Sequence, residues 1–104
     1  MRHNKLLYLA ARVRHGDGRA AVLFRKLLEP VLVYIVGYTL RYGMSVHKDL
    51  TPRILAEARE RENDAGLDRD AFLGQVAHAV CEWIIDGLRS GSGESLRFVE
   101  TVCA

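Results

Sequence analysis

The chain is 104 residues long, 49% hydrophobic and 27% charged, with a formal net charge of +2. That is the length of one domain, 1–104, large enough to bury a core without disulfide or metal staples, and the composition excludes wholesale disorder. The charge is unevenly placed: residues 1–26 hold seven Lys/Arg against one acid, whereas residues 57–70 hold three Arg against six acids.

The first helix is predicted over about Asn4 to Arg14. Leu6, Leu9, Ala10 and Val13 recur there at helical spacing, with Lys5, Tyr8 and Arg12 on the opposite side. His15-Gly16-Asp17-Gly18 stops it, because glycine supplies the left-handed backbone of a tight connection and Asp17 can cap the next helix. The apolar stretch after Met1 is short, broken by Arg12 and Arg14, and followed by no cleavage site, so it is not read as a signal peptide. A reduced, cytoplasmic setting with Cys81 and Cys103 as free thiols is the expectation.

The second helix is predicted over about 19–42. In its first half Leu23, Phe24, Leu27 and Leu28 are read as one face, with Arg25, Lys26 and Glu29 pointing away. After Pro30 the polar side disappears, and Val33, Val36 and Leu40 fall where charges stood before. A helix that is apolar all round must be covered all round, by its own fold or by a second chain. Pro30 lacks an N–H and crowds the preceding turn, which predicts either a kink in one helix or a break between two. A strand over 31–36 is the competing reading of Val31, Val33, Ile35 and Val36, but no second strand is available to pair with it. A membrane span is a further competing reading, which ranks behind a buried helix on length: 11 residues separate Glu29 from Arg41, and about 20 are needed.

Tyr42-Gly43-Met44 ends this segment, and Thr51-Pro52 reads as N-cap and first helical residue of a third helix over about 52–64. Its apolar stripe of Ile54, Leu55 and Ala58 is thin. The pairs Arg53–Glu57 and Glu57–Arg61 lie four apart and support the helix, and Gly66 is expected as its C′ residue. Asp68 or Asp70 opens a fourth helix over about 69–89, with Phe72, Leu73, Val76, Val80, Trp83, Ile84 and Leu88 inward and Gln75, His78, Glu82 and Asp86 outward. Ser90-Gly91-Ser92-Gly93 is read as a flexible linker before a short last helix, Glu94 to about Thr101, carrying Leu96, Val99 and Val102. The fold class is all-α: a compact bundle of four to five helices around a long, Pro-kinked or broken, apolar central helix.

Chemistry-bearing constellations are sparse. His78, Cys81 and Glu82 have the i, i+3, i+4 spacing of ligands along a helix edge, with His47 or Cys103 as conceivable further ligands. No CxxC, HxxxH or HExxH supports them, so an exposed His–Glu pair beside a partly buried thiol is the plainer reading. The Gly16–Gly18 turn matches no phosphate loop, and no nucleophile–base set is present. No cofactor, metal or catalytic role is assigned.

Tyr34, Tyr38 and Tyr42 are spaced four apart on one helix face. They serve either as a core stripe with hydroxyls reaching out, or as an interface, where tyrosine is enriched. With Val33, Val36 and Leu40 they make the predicted contact surface of a homodimer. Arg12, Arg14, Arg19, Arg25 and Lys26 form a basic N-terminal region able to contact phosphates. The helix–glycine turn–helix arrangement has the outline of a helix-turn-helix, but the second helix is too apolar to read a major groove. Acids at Glu57, Glu60, Glu62, Asp64, Asp68 and Asp70 offer a further docking face, diluted by Arg59, Arg61 and Arg69. The expectation is a small non-catalytic, protein-interaction or regulatory module (an adaptor, inhibitor or assembly subunit) acting as a homodimer on another protein; the alternative is a nucleic-acid-binding protein using its basic N-terminal region.

Overall fold

A computed structural model describes residues 2–44, 48–63 and 66–102. It contains helices α1 (Arg2–Arg14), α2 (Gly18–Tyr42), α3 (Thr51–Arg61), α4 (Arg69–Arg89) and α5 (Gly93–Val102), with a 3-10 turn over Lys48–Leu50. No strand occurs among the described residues, so the all-α reading stands and the strand alternative for 31–36 is excluded. The chain divides into two compact units: Met1–Leu28 with Glu82–Ala104, and Glu29–Cys81. α2 and α4 each contribute to both.

In the first unit α1 packs against α5. Leu6, Leu9, Ala10 and Val13 are buried, as their spacing requires, while Lys5, Tyr8 and Arg12 are exposed. α1 closes in a glycine turn: the Gly16 amide donates to the Val13 carbonyl at 3.0 Å and the Asp17 amide to the Arg12 carbonyl at 3.1 Å. Gly16 sits at φ +86°, a left-handed backbone that other residues adopt only at a cost. Asp17 then starts α2, its Oδ1 accepting from the amides of Arg19 and Ala20 at 3.0 and 3.1 Å. These are donors that the first turn of a helix otherwise leaves unpaired.

The sequence pattern misplaces the inward stripe of α2. Phe24 and Leu28 are fully buried, but Leu23 and Leu27 stand 47% and 40% exposed. The buried positions are Ala20, Ala21, Phe24, Leu28, Leu32, Ile35, Val36 and Thr39, which keep to one side of a 3.6-residue helix. Leu23 and Leu27 each precede a member of that run by one residue, a rotation of about 100° that carries them outward. Burial of Phe24 and Leu28 is worth about 1.5–3 kcal/mol each. Arg25, expected to point into solvent, is half-buried, and its Nε donates to Glu82 Oε1 at 2.5 Å. The α-helix is assigned without interruption across Pro30.

α4 and α5 meet within the same unit at Gly87 and Ser95. Residues 90–93, read from sequence as a flexible linker, form a hydrogen-bonded turn: the Gly91 amide donates to Leu88 at 3.2 Å and the Ser92 amide to Gly87 at 2.7 Å, with Gly91 at φ +79°. This is the same glycine-closed helix end as at Gly16. α5 begins one residue earlier than expected and buries Ser95, Phe98 and Val99, with Leu96 and Val102 only half-buried.

The second unit buries Leu32, Ile35, Val36, Leu50, Ile54, Val76, Val80 and Cys81. Thr39 is buried too, and its hydroxyl donates to the Ile35 carbonyl one turn back at 2.7 Å. α3 starts differently from expectation. Leu50, in helical backbone at the end of the 3-10 turn, holds the N-cap position without a side-chain cap, and Thr51 is the first helical residue, with Pro52 behind it. The preceding turn carries helical geometry into α3, so the boundary needs no Thr51 cap. α3 ends at Arg61 with Glu62 as C-cap, four residues before Gly66, so Gly66 is not its C′ residue. The predicted pairs form, Arg53–Glu57 at 3.4 Å and Arg61–Glu57 at 2.7 Å. Asp68 Oδ1 accepts from the Ala71 amide at 2.8 Å and so opens α4.

Candidate interaction surface

The outer side of α2 after Pro30 is the most distinctive surface of the second unit. Tyr34 is 75% exposed, and Tyr38 and Tyr42 stand out beside it. Their four-residue spacing places one ring above the next, since such positions are neighbours on a helix. The Tyr38 and Tyr42 ring centroids lie 4.6 Å apart with planes tilted by 49°, and the Arg41 guanidinium carbon lies 5.5 Å from the Tyr42 centroid. Both arrangements are favourable for aromatic rings, and they hold the side chains in place without hiding them.

The tyrosines border an open recess of about 390 Å³ whose lining also includes Val33, Gly37, Arg41, Arg69 and Leu73. Gly37 contributes only backbone to this lining. A Cβ at that position would lie 3.8 Å from Leu73 Cδ1, an ordinary contact, so the glycine leaves a notch without being sterically required. Two arginines and no carboxylate line the recess, which makes it electropositive. The second unit as a whole is acidic, with six Lys/Arg against eight Asp/Glu in residues 29–81.

Of the predicted interface residues, Val33, Tyr34, Tyr38 and Tyr42 are on this surface and Leu40 is half-buried. Val36 is a correction: it is fully buried in the unit's own interior and cannot take part in a surface. It belongs to the inward run with Leu32 and Thr39, not to the arc of Val33 and Gly37. Arg41 was legible in sequence, seven residues and two turns beyond Tyr34. Arg69 and Leu73 were not, because they arrive from α4.

The five predicted phosphate-contacting residues lie in the first unit and are not equivalent. Arg12 is bound to Asp17, with Nη2 3.1 Å from Oδ2, and Arg25 is bound to Glu82. Arg14, Arg19 and Lys26 are exposed. The suggested metal edge does not assemble: Cys81 is fully buried, Glu82 faces Arg25, and His78 Nδ1 lies 2.7 Å from Glu29 Oε1. His47, Asp64 and Cys103 lie outside the described residues, among which no group of three His, Cys, Asp or Glu is placed to hold a metal ion. No described helix is long and apolar enough to cross a membrane. No protein-family model, curated protein or solved structure matches this chain.

Proposed function

We propose that the protein is a small non-catalytic interaction module that works as a homodimer, a second copy occupying the tyrosine-lined face of α2. The observation that carries this reading is the exposure of Tyr34, Tyr38 and Tyr42 on one side of one helix, around the notch at Gly37. Tyrosine and arginine are the residues that most often dominate binding energy at interfaces, because they combine large contact area with hydrogen-bonding capacity. A notch flanked by rings is self-complementary under two-fold symmetry, where each copy's ridge meets the other's groove. The charge favours the same occupant. The recess is cationic, while the rest of the unit supplies exposed acids, Glu60, Glu62 and Asp70 among them, which a second copy brings with it.

A bend of α2 at Pro30 belongs to this proposal, since it sets the direction in which the tyrosine-bearing half projects. So does a cytoplasmic, regulatory role, in which the charged outer face of α3 remains for the regulated protein. The test is absolute mass by light scattering, on the parent and on Tyr34→Glu/Tyr38→Glu. A dimeric parent and a monomeric variant of unchanged helicity support the reading. A parent that stays monomeric at high concentration, or a variant that stays dimeric, overturns it.

A further inference from the structure

We infer that the first unit binds the phosphate backbone of a single-stranded nucleic acid through a cationic recess at the adjoining ends of α1 and α4. The recess is open, about 380 Å³, and is lined by Ala11, Arg14, His15, Leu88, Arg89, Ser90 and Gly91. Its lining includes two arginines and a histidine, and no acidic residue.

Arginines at helix C-termini ordinarily have a structural duty, bonding the last carbonyls and offsetting the negative end of the helix dipole. Here backbone amides take up much of the hydrogen-bonding part of that duty. The Arg12 and Val13 carbonyls accept from the amides of Asp17 and Gly16. The Asp86, Gly87 and Leu88 carbonyls accept from those of Ser90, Ser92 and Gly91. Both helices end in glycine turns whose amides occupy these carbonyls, and the side chains of Arg14 and Arg89 bond none of them. Neither forms an ion pair or hydrogen bond with a described residue, and Asp86, one turn before Arg89, does not reach it. By contrast, Arg12, Arg25, Arg53 and Arg61 all have carboxylate partners. Two like charges lining one recess repel unless an anion lies between them, and phosphate suits the planar, forked donors of arginine.

The surroundings favour a polyanion over a single anion. The first unit holds nine Lys/Arg against five acids, and Lys5, Arg19 and Lys26 are exposed on it. Such a field draws in a charged strand and releases its counterions. Tyr8 is 63% exposed on α1, three residues before Ala11 and four before Arg12, and so shares their side of the helix. An exposed ring beside cations is the combination that holds unpaired bases, which stack on aromatic faces irrespective of sequence. A duplex offers no free base to that ring.

The test is fluorescence anisotropy with a labelled mixed-sequence oligonucleotide of about 20 nucleotides, longer than one such site. Titrations run between about 50 and 200 mM salt, on the parent, Arg14→Ala/Arg89→Ala and Arg14→Lys/Arg89→Lys. The parent is expected to bind the single strand more tightly than its duplex. The alanine variant is expected to lose about 1.4 from the slope of log affinity against log salt, about 0.7 for each phosphate contact on a single strand. The lysine variant keeps the slope. Absence of binding at the lowest salt, an unchanged slope in the alanine variant, or preference for the duplex or for anionic lipid vesicles overturns the inference. Because no residue here belongs to the tyrosine face, the mass measurement and this titration fail independently.

Discussion

Arg12 and Asp17 are joined through both backbone and side chain. The Asp17 amide donates to the Arg12 carbonyl at 3.1 Å, and the Arg12 guanidinium returns two bonds to Asp17 Oδ2, from Nε at 3.2 Å and Nη2 at 3.1 Å. With Oδ1 already accepting from the first amides of α2, one aspartate fixes the end of one helix and the start of the next. A connection only a few residues long is thereby pinned in a single geometry.

The carboxyl of Asp17 is accordingly held below its ordinary value of 3.8, by the Ala20 amide first and by the Arg12 side chain after it. The unfolded chain therefore binds this proton more readily than the folded one. The stabilisation is present above the unfolded value and is lost as pH falls through the lower folded one. Thermal melts of the parent and Asp17→Asn between neutral pH and strong acid measure this. The stability advantage of the parent is expected to be constant near neutrality and to shrink only in acid below the ordinary aspartate range. An advantage that shrinks as pH rises contradicts the assignment.

Val36 and Tyr34 lie two residues apart on α2 and should respond oppositely to truncation. Val36→Ala removes buried methyl groups and leaves a cavity, at a cost of about 2 kcal/mol. Tyr34→Ala removes an exposed ring and should change the stability of the dissociated chain by no more than about 0.5 kcal/mol. Urea unfolding at concentrations low enough to dissociate any oligomer distinguishes them. Equal costs would mean that the rotation assigned to α2 is wrong.

Gly87 is required for the approach of α4 to α5. A Cβ there would overlap Ser95 Oγ and lie 2.9 Å from Ser95 Cβ. Gly87→Ala should destabilise by about 1–3 kcal/mol, the range for overpacking a filled interior. Ser95 Oγ is also buried without a hydrogen-bond partner among the described residues. Ser95→Ala should therefore be neutral or stabilise by about 1 kcal/mol, through loss of an unsatisfied hydroxyl. In the double variant the two changes should couple, the smaller side chain at 95 relieving part of the strain from 87. Strictly additive melting shifts would show that the two residues do not meet.

Pro30 is exposed within α2 and cannot donate to the Lys26 carbonyl one turn earlier. Proline in a helix interior costs about 3 kcal/mol, offset in part by the stiffness it lends the unfolded chain. Pro30→Ala is expected to raise the unfolding free energy by about 1–2 kcal/mol. If the bend proposed at Pro30 aims the tyrosine face, the same variant should weaken self-association while stabilising the chain, a combination that simple destabilisation cannot produce.

Sequence alone determined the helical class, the bounds of α4, the inward stripe of α1 and the Asp17 cap. Each depends on periodicity or on bonds within a few residues, which a local pattern contains. It also identified Tyr34, Tyr38 and Tyr42 as neighbours, since their spacing fixes a common side of any helix. Tertiary structure decided which side of α2 turns inward. After Pro30 that segment is apolar all round, so hydrophobicity does not select between Val33 and Val36, and before it the apolar arc is wide enough to hold both Leu23 and Phe24. Contacts from other elements make the choice. The fate of the cations was decided in the same way: Arg25 is bound by Glu82 and Arg14 is joined by Arg89, partners more than fifty residues away in the chain, and only folding brings such charges within reach of one another.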